Sequence, residues 1–156
     1  MPAHPPDPAR PVVSAHRALP VTAMAEIAGG LVEVPDLGRL LDDADVGPGA
    51  RQTRLLATPV FEAWLVEWAA TWSVGPHHHG DATVVVGVRR GRLRERRGVA
   101  AGHLMTRDLT VLVPGEVHEL ACAGAGPTQT VQVYSPPPTT ATLYPEGCLC
   151  PARVPQ

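Results

Sequence analysis

The stretch "GPHHHGDATVVVGVRRGRLRERR", Gly75–Arg97, decides the fold. Its middle, "TVVVGVRRG" (Thr83–Gly91), is short, apolar and β-branched, and it stops at a glycine. That pattern predicts a buried strand closed by a turn. "RLRERR" (Arg92–Arg97) follows with alternating character and reads as a solvent-facing strand. Outward from here the same signal repeats. "VFEAWLVEW" (Val60–Trp68) reads as a strand with aromatic punctuation. "LTVLVPGEVHEL" (Leu109–Leu120) reads as two strands around a Pro-Gly turn. "TQTVQVYSPPP" (Thr128–Pro138) is a strand stopped by three prolines. Five to seven short strands with frequent Pro and Gly turns predict a mostly β protein, a small sandwich or barrel.

The rest of the chain reads differently. Residues 1–14 are Pro-rich and carry no core pattern, so they are expected to be disordered. Residues 15–45 read as a helical N-terminal segment. A helix is expected around Thr22–Ala28, ended by Gly29-Gly30, and a second short one in "PDLGRLLDDAD", with Pro35 near its first turn. The barrel is assigned to 50–138 and an irregular tail to 139–156.

Composition narrows the function. The chain has 156 residues and a net charge of −2, enough for one core and without the basic footprint of nucleic-acid binding. No apolar run approaches the roughly 20 residues of a membrane span. The N-terminus lacks the apolar centre of a signal peptide, so a cytoplasmic location is expected. The cysteines are Cys122, Cys148 and Cys150, an odd count that argues against a disulfide framework. Cys148 and Cys150 form a C-x-C that is either a soft-metal or redox site or a pair of plain thiols.

Side chains alternate across a strand, so an extended 77–79 segment puts His77 and His79 on one face and His78 on the other. Neutral imidazole is the commonest protein ligand for Zn, Fe, Cu and Ni. A third ligand could come from His118, just past the Pro-Gly turn. Asp81 is the alternative and would give a two-His-one-carboxylate site. His103 is a weaker candidate in an expected loop, and His4 and His16 lie in the N-terminal part.

Together these pieces carry a resemblance. "FEAWLVEWAATWSVGPHHHGDATVVVGVRRGRLRER" resembles the first motif of the cysteine dioxygenase family of cupins: a Trp-containing strand (Trp64 or Trp68), an H-x-H followed by Gly80, and a turn glycine, Gly91. "VPGEVHEL" resembles the second motif, which supplies a third histidine, and "VQVYSPPP" the closing strand with its tyrosine. The likeness covers roughly residues 50–138. It implies a cupin-type β-barrel or jelly roll holding mononuclear Fe(II) on His77, His79 and His118. The glutamate ligand that most cupins add after the H-x-H is replaced by Thr83 and Val84, as in the three-His thiol dioxygenases. The implied reaction oxidises a small thiol carboxylate to a sulfinic acid with O2. Cysteine is the default substrate and 3-mercaptopropionate is also open. A metal-bound thiol loses its proton, and one ion can bring both reactants together. An arginine upstream of the first motif would hold the substrate carboxylate; Arg54 matches best and Arg51 is the alternative.

Two departures matter. The usual Asp between the histidines is His78, which alternation points away from the metal. The family's Ser, His and Tyr relay is here Thr130, Gln132 and Tyr134. Glutamine cannot titrate near neutral pH, so proton handling around Tyr134 is altered. The position of the family's crosslinking cysteine falls near Val84, so no thioether is expected. The arginines 89–97 read as a solvated hairpin. Small-molecule thiol and O2 are the expected partners, with no nucleic acid and no membrane, in a monomer or weak homo-oligomer. Two rival readings keep the fold: a non-catalytic cupin that binds a metal or small molecule, and a three-His Zn site of hydrolytic type.

Overall fold

The computed structural model describes residues 18–47, 49–138 and 142–143. The Pro-rich start, His4, His16, Cys148, Cys150 and nearly all of the 139–156 tail lie outside the described residues.

Eleven strands follow one helix among the described residues. They are β1 (Asp45–Gly47), β2 (Ala50–Ala57), β3 (Glu62–Trp68), β4 (Ser73–His78), β5 (Thr83–Arg90), β6 (Arg92–Arg97), β7 (Ala100–Met105), β8 (Leu109–Leu112), β9 (His118–Cys122), β10 (Thr128–Ser135) and β11 (Thr142–Leu143). Two antiparallel sheets face each other, ordered β1-β2-β3-β10-β5-β8 and β11-β4-β9-β6-β7. The expected mostly β architecture with a short helical segment is what the chain adopts. The strands read from sequence are all present. Five were left unassigned by the sequence reading: the short β1 and β11, the latter in the expected irregular tail, and β2, β4 and β7, which are polar or Gly- and Pro-containing and are set by pairing rather than by propensity. His103, expected in a loop, sits on β7 and is exposed.

β10 runs between β3 and β5, and all eight of its residues are buried. Its two faces serve two cores. Val131 and Val133, with Ala63, Leu65 and Val85, meet the helix α1 (Val21–Glu33) through Met24, Ala28 and Val32. Those three positions, four residues apart, form one stripe of α1. Thr130, Gln132 and Tyr134 point the other way, into the space between the sheets.

The helix corrects one expectation. It runs through Gly29-Gly30 to Glu33 and stops where Val34 turns extended before Pro35. Two helical glycines cost about 1 kcal/mol each, but burial of Val32 one turn beyond Ala28 offsets this. Close approach of α1 is set by Gly87 on β5, where a Cβ would come within 2.8 Å of Val32 Cγ2 and Leu109 Cδ2. The second short helix is a 3₁₀ turn, Leu37–Leu41, and residue 45 already belongs to β1.

"RLRERR" is only half solvent-facing. Leu93 and Glu95 are buried while Arg92, Arg94 and the rest of that face are not. The hairpin into it turns at Gly91, with φ +86°, where a Cβ would meet Thr128 Cα at 3.0 Å and Thr128 Oγ1 at 2.6 Å. Left-handed backbone costs a non-glycine residue about 1–2 kcal/mol, and the clash with backbone adds to it. Gly91→Ala is therefore expected to lower stability by roughly 2–3 kcal/mol in denaturant titration. A loss below about 0.5 kcal/mol, the size of an ordinary surface substitution, would contradict this account of the turn.

Candidate metal centre

His77, His79 and His118 come together between the sheets, all buried, with one ligand nitrogen of each lying within 4.8 Å of the others. Local backbone explains the convergence. The β4–β9 register pairs Val74 with Leu120 and His77 with His118, so one extra residue is accommodated between them. Strict alternation from the buried Val74 would turn residues 76 and 78 inward. The bulge at Gly75–Pro76 reverses that parity, and His77 and His79 face inward instead. His78 faces away, as expected, and its Nδ1 accepts a hydrogen bond from Gly80 N at 3.1 Å. Gly115 N donates to Gly80 O at 2.9 Å, tying the turn before His118 to the loop after His79.

Two of the three histidines have their second ring nitrogen engaged. His77 Nδ1 lies 2.8 Å from Gly75 O, and His118 Nδ1 lies 3.1 Å from Glu95 Oε1. Both contacts put the proton on Nδ1 and the lone pair on Nε2. His79 Nε2 and His118 Nε2 stand 3.2 Å apart. Metal–nitrogen bonds of 2.0–2.1 Å place tetrahedral ligand nitrogens roughly 3.3 Å apart. The donor set thus fits a divalent transition metal: three neutral imidazoles, at least two with the Nε2 lone pair aimed inward. Asp81 is exposed in the turn after His79 and lies outside the group of converging ligand atoms.

Glu95 is a site residue that the sequence reading missed. It is buried, accepts from Thr110 Oγ1 at 3.1 Å, and pairs with Arg97 at 3.1 Å, while Arg97 also holds Glu116 at 3.0 Å. The available signal was its place two residues after Leu93, the inward apolar residue of β6. Burial works against its charge, but hydrogen bonds from His118 and Arg97 prevail and hold its carboxyl below the usual range.

Burial, reinforced by the neighbouring His77 and His118, pushes His79 from 6.5 down to about 3. Burial also lowers His118, against the opposing pull of Glu95. Both groups are neutral when folded and take up protons more readily when unfolded. The metal-free protein is therefore at full stability above pH 6.5 and loses it as pH falls from there toward 3. Each such histidine contributes a slope of up to about 1.4 kcal/mol per pH unit. Urea titrations of EDTA-treated protein across this range check it. His79→Gln should reduce the slope by about one histidine's share, and an unchanged slope would contradict the assignment.

The facing side of the large sheet presents a polar row. Register places Arg54, Trp64, Gln132 and Val86 directly across from one another, and in the next row Glu62, Tyr134 and Val84. The Tyr134 ring lies 5.4 Å from that of His79. Its hydroxyl donates to Gln132 Oε1, and Gln132 Nε2 donates to Thr130 Oγ1 at 3.3 Å, which also accepts from Trp68 Nε1 at 3.0 Å. Gln132 is thereby fixed with its oxygen toward Tyr134. Arg54 is half-exposed, with its guanidinium 5.7 Å over Trp64 and 3.5 Å from Glu62. Arg51, the alternative, is on the other face and paired with Glu67. Glu62 was also missed. Its signal was a carboxylate sharing the alternate positions of Trp64, Val66 and Trp68.

No family model matches the sequence, and no curated protein matches it. Solved structures do. A protein from Klebsiella pneumoniae with a double-stranded β-helix domain is 19% identical at TM-score 0.58, covering 65% of this chain and 90% of its own. A Cupin 2 conserved barrel domain protein from Salinispora arenicola is 22% identical at TM-score 0.54, covering 66% and 87%. KdgF from Halomonas sp. is 21% identical at TM-score 0.56, covering 59% and 83%. The fold is that of the cupin double-stranded β-helix, and within it sits a three-histidine group that could hold a metal. Among the described residues no helix is long and apolar enough to cross a membrane.

Proposed function

We propose that this chain is a thiol dioxygenase that converts a small thiol carboxylate to its sulfinic acid with Fe(II) and O2. The observation that carries the reading is the pairing of an all-histidine group with a buried tyrosine, Tyr134, 5.4 Å from His79 by ring centroids. The likeness of "GPHHHG", "VPGEVHEL" and "VQVYSPPP" to the cysteine dioxygenase motifs supports it further. The reaction balances as thiol plus dioxygen giving sulfinic acid, with both oxygen atoms on sulfur.

A ferrous ion held by His77, His79 and His118 would supply the redox chemistry that activates dioxygen toward the thiol. The chain's own residues do the rest. Glu95 orients His118 through Nδ1. Tyr134, its proton directed to Gln132, turns an oxygen lone pair rather than a donor toward the reacting groups. Gln132 holds that geometry but takes up no proton, so the pH dependence of turnover should not carry a relay histidine. Arg54, half-exposed in register with Trp64 and Gln132, offers a guanidinium edge to the substrate carboxylate.

Arg54→Ala is expected to raise KM roughly tenfold to hundredfold, the worth of a charge-assisted hydrogen bond, with iron content unaltered. Equal saturation of mutant and wild type by substrate would remove Arg54 from this role. The test of the function itself is oxygen uptake by anaerobically Fe(II)-loaded protein across a panel of small thiols, with sulfinate detected by mass spectrometry. Uptake matched by sulfinate from one thiol supports the proposal. Stoichiometric iron with no uptake from any thiol overturns it in favour of a binding cupin.

A further inference from the structure

We infer that Arg97 is a positioning residue for the metal centre: it joins the turn that leads into His118 to the carboxylate that orients the His118 ring. This rests on the histidine group as a metal site and not on the reaction proposed for it.

Backbone pairing with β6 stops short of the ligand. The β6–β9 ladder ends at Arg96 and Glu119, so His118 lies one residue beyond its last rung. The turn before it, residues 113–116, belongs to neither β8 nor β9. Here a side chain takes over from the ladder. Arg97, half-buried at the end of β6, donates from Nη2 to Glu95 Oε2 at 3.1 Å and to Thr110 Oγ1. From Nη1 it donates to Glu116 Oε1 at 3.0 Å. Glu95 Oε1 meets His118 Nδ1 at 3.1 Å, and Glu116 Oε2 accepts from Val113 N at 3.0 Å, which closes the turn.

One guanidinium thus spans β6, β8 of the facing sheet, and the turn just before His118. A planar fork with fixed donors suits that task, whereas an ammonium is a point charge on a flexible stem. Without Arg97, Glu95 and the turn are each released. The ring and the backbone of His118 then lose a restraint that metal binding must restore, which lowers affinity. Arg96 is the matched control. It carries the same charge on the next residue and pairs with Glu119, beside His118, but it is exposed and directed away from the histidines.

The test is Co(II) affinity of the EDTA-treated and dialysed full chain, by competition with a chromophoric chelator. Arg97→Met is expected to weaken binding about tenfold, the lower end for outer partners of a ligand histidine, and Arg97→Lys to recover part of the loss. Glu116→Gln is expected to weaken it about threefold, the worth of a partly exposed ion pair. The double variant Arg97→Met/Glu116→Gln should bind no worse than Arg97→Met, because the link is already broken. Arg96→Met should stay within about twofold of wild type.

Wild-type affinity in Arg97→Met, an equal loss in Arg96→Met, or losses at 97 and 116 that multiply would each overturn the inference and leave the metal centre standing. Wild type that binds no Co(II) overturns the metal centre and the inference with it. If Arg97→Met fails to fold, Glu116→Gln decides alone, and wild-type affinity in that variant overturns the inference.

Discussion

His118→Ala is expected to abolish stoichiometric metal binding. Structural zinc sites with four ligands bind with about 10–16 kcal/mol, so one ligand is worth roughly 3–4 kcal/mol, on the order of 10²- to 10³-fold in affinity. The remaining pair, His77 and His79, is two residues apart and would still chelate weakly. The control is Asp81→Ala. That carboxylate is exposed and outside the histidine group, so its removal should leave affinity within about twofold, below the roughly tenfold of the smallest effect of losing a ligand's support. Competition titration of both variants with a chromophoric chelator decides the matter. A strong effect at Asp81, or none at His118, would return the site to the two-His-one-carboxylate alternative.

Glu95→Ala should cost both metal affinity and stability. His118 Nδ1 then loses its acceptor at 3.1 Å, and Arg97 and Thr110 lose a shared partner. Loss of a group that orients a ligand histidine typically lowers metal affinity 10- to 100-fold. Leaving the buried His118 Nδ1 donor unpaired adds about 1–3 kcal/mol of destabilisation, while Arg97 keeps Glu116. Glu95→Gln separates the two effects. Its amide oxygen can still accept from His118, so affinity should recover in part. Its amide NH2 would face the Arg97 guanidinium, donor against donor, so stability should not recover. Equal metal affinity in wild type and Glu95→Ala would show that packing alone fixes His118.

The two predictions also divide what could be read in the sequence from what could not. His77 and His79 were legible because their spacing is a local property, whereas the residues left His118 and Asp81 open as the third ligand and the resemblance implied His118. Glu95 lies within the arginine stretch that reads as a solvated hairpin, and Glu62 was not singled out. A strand's alternation says that two faces exist but not which one is indoors. The arginines around Glu95 suggested solvent. In the structure Arg96 pairs outward with Glu119, while Arg97 turns to Glu95 and Glu116. Helix length was misjudged for a related reason. Gly29-Gly30 signals a stop by propensity, and the stripe of Ala28 and Val32 against the sheet overrides it.

By itself the sequence determined the β class, most strand positions, the Pro-Gly turn before His118 and the His77/His79 pair, because each rests on period, propensity or residue chemistry over a few positions. Only the tertiary structure decided that His77 lies opposite His118, that Glu95 and Glu62 face inward, and that Asp81 does not. For the histidines of β4 the reason is the bulge at Gly75–Pro76. One extra residue reverses which face of β4 is buried, and pairing with β9 across the sheet selects that register.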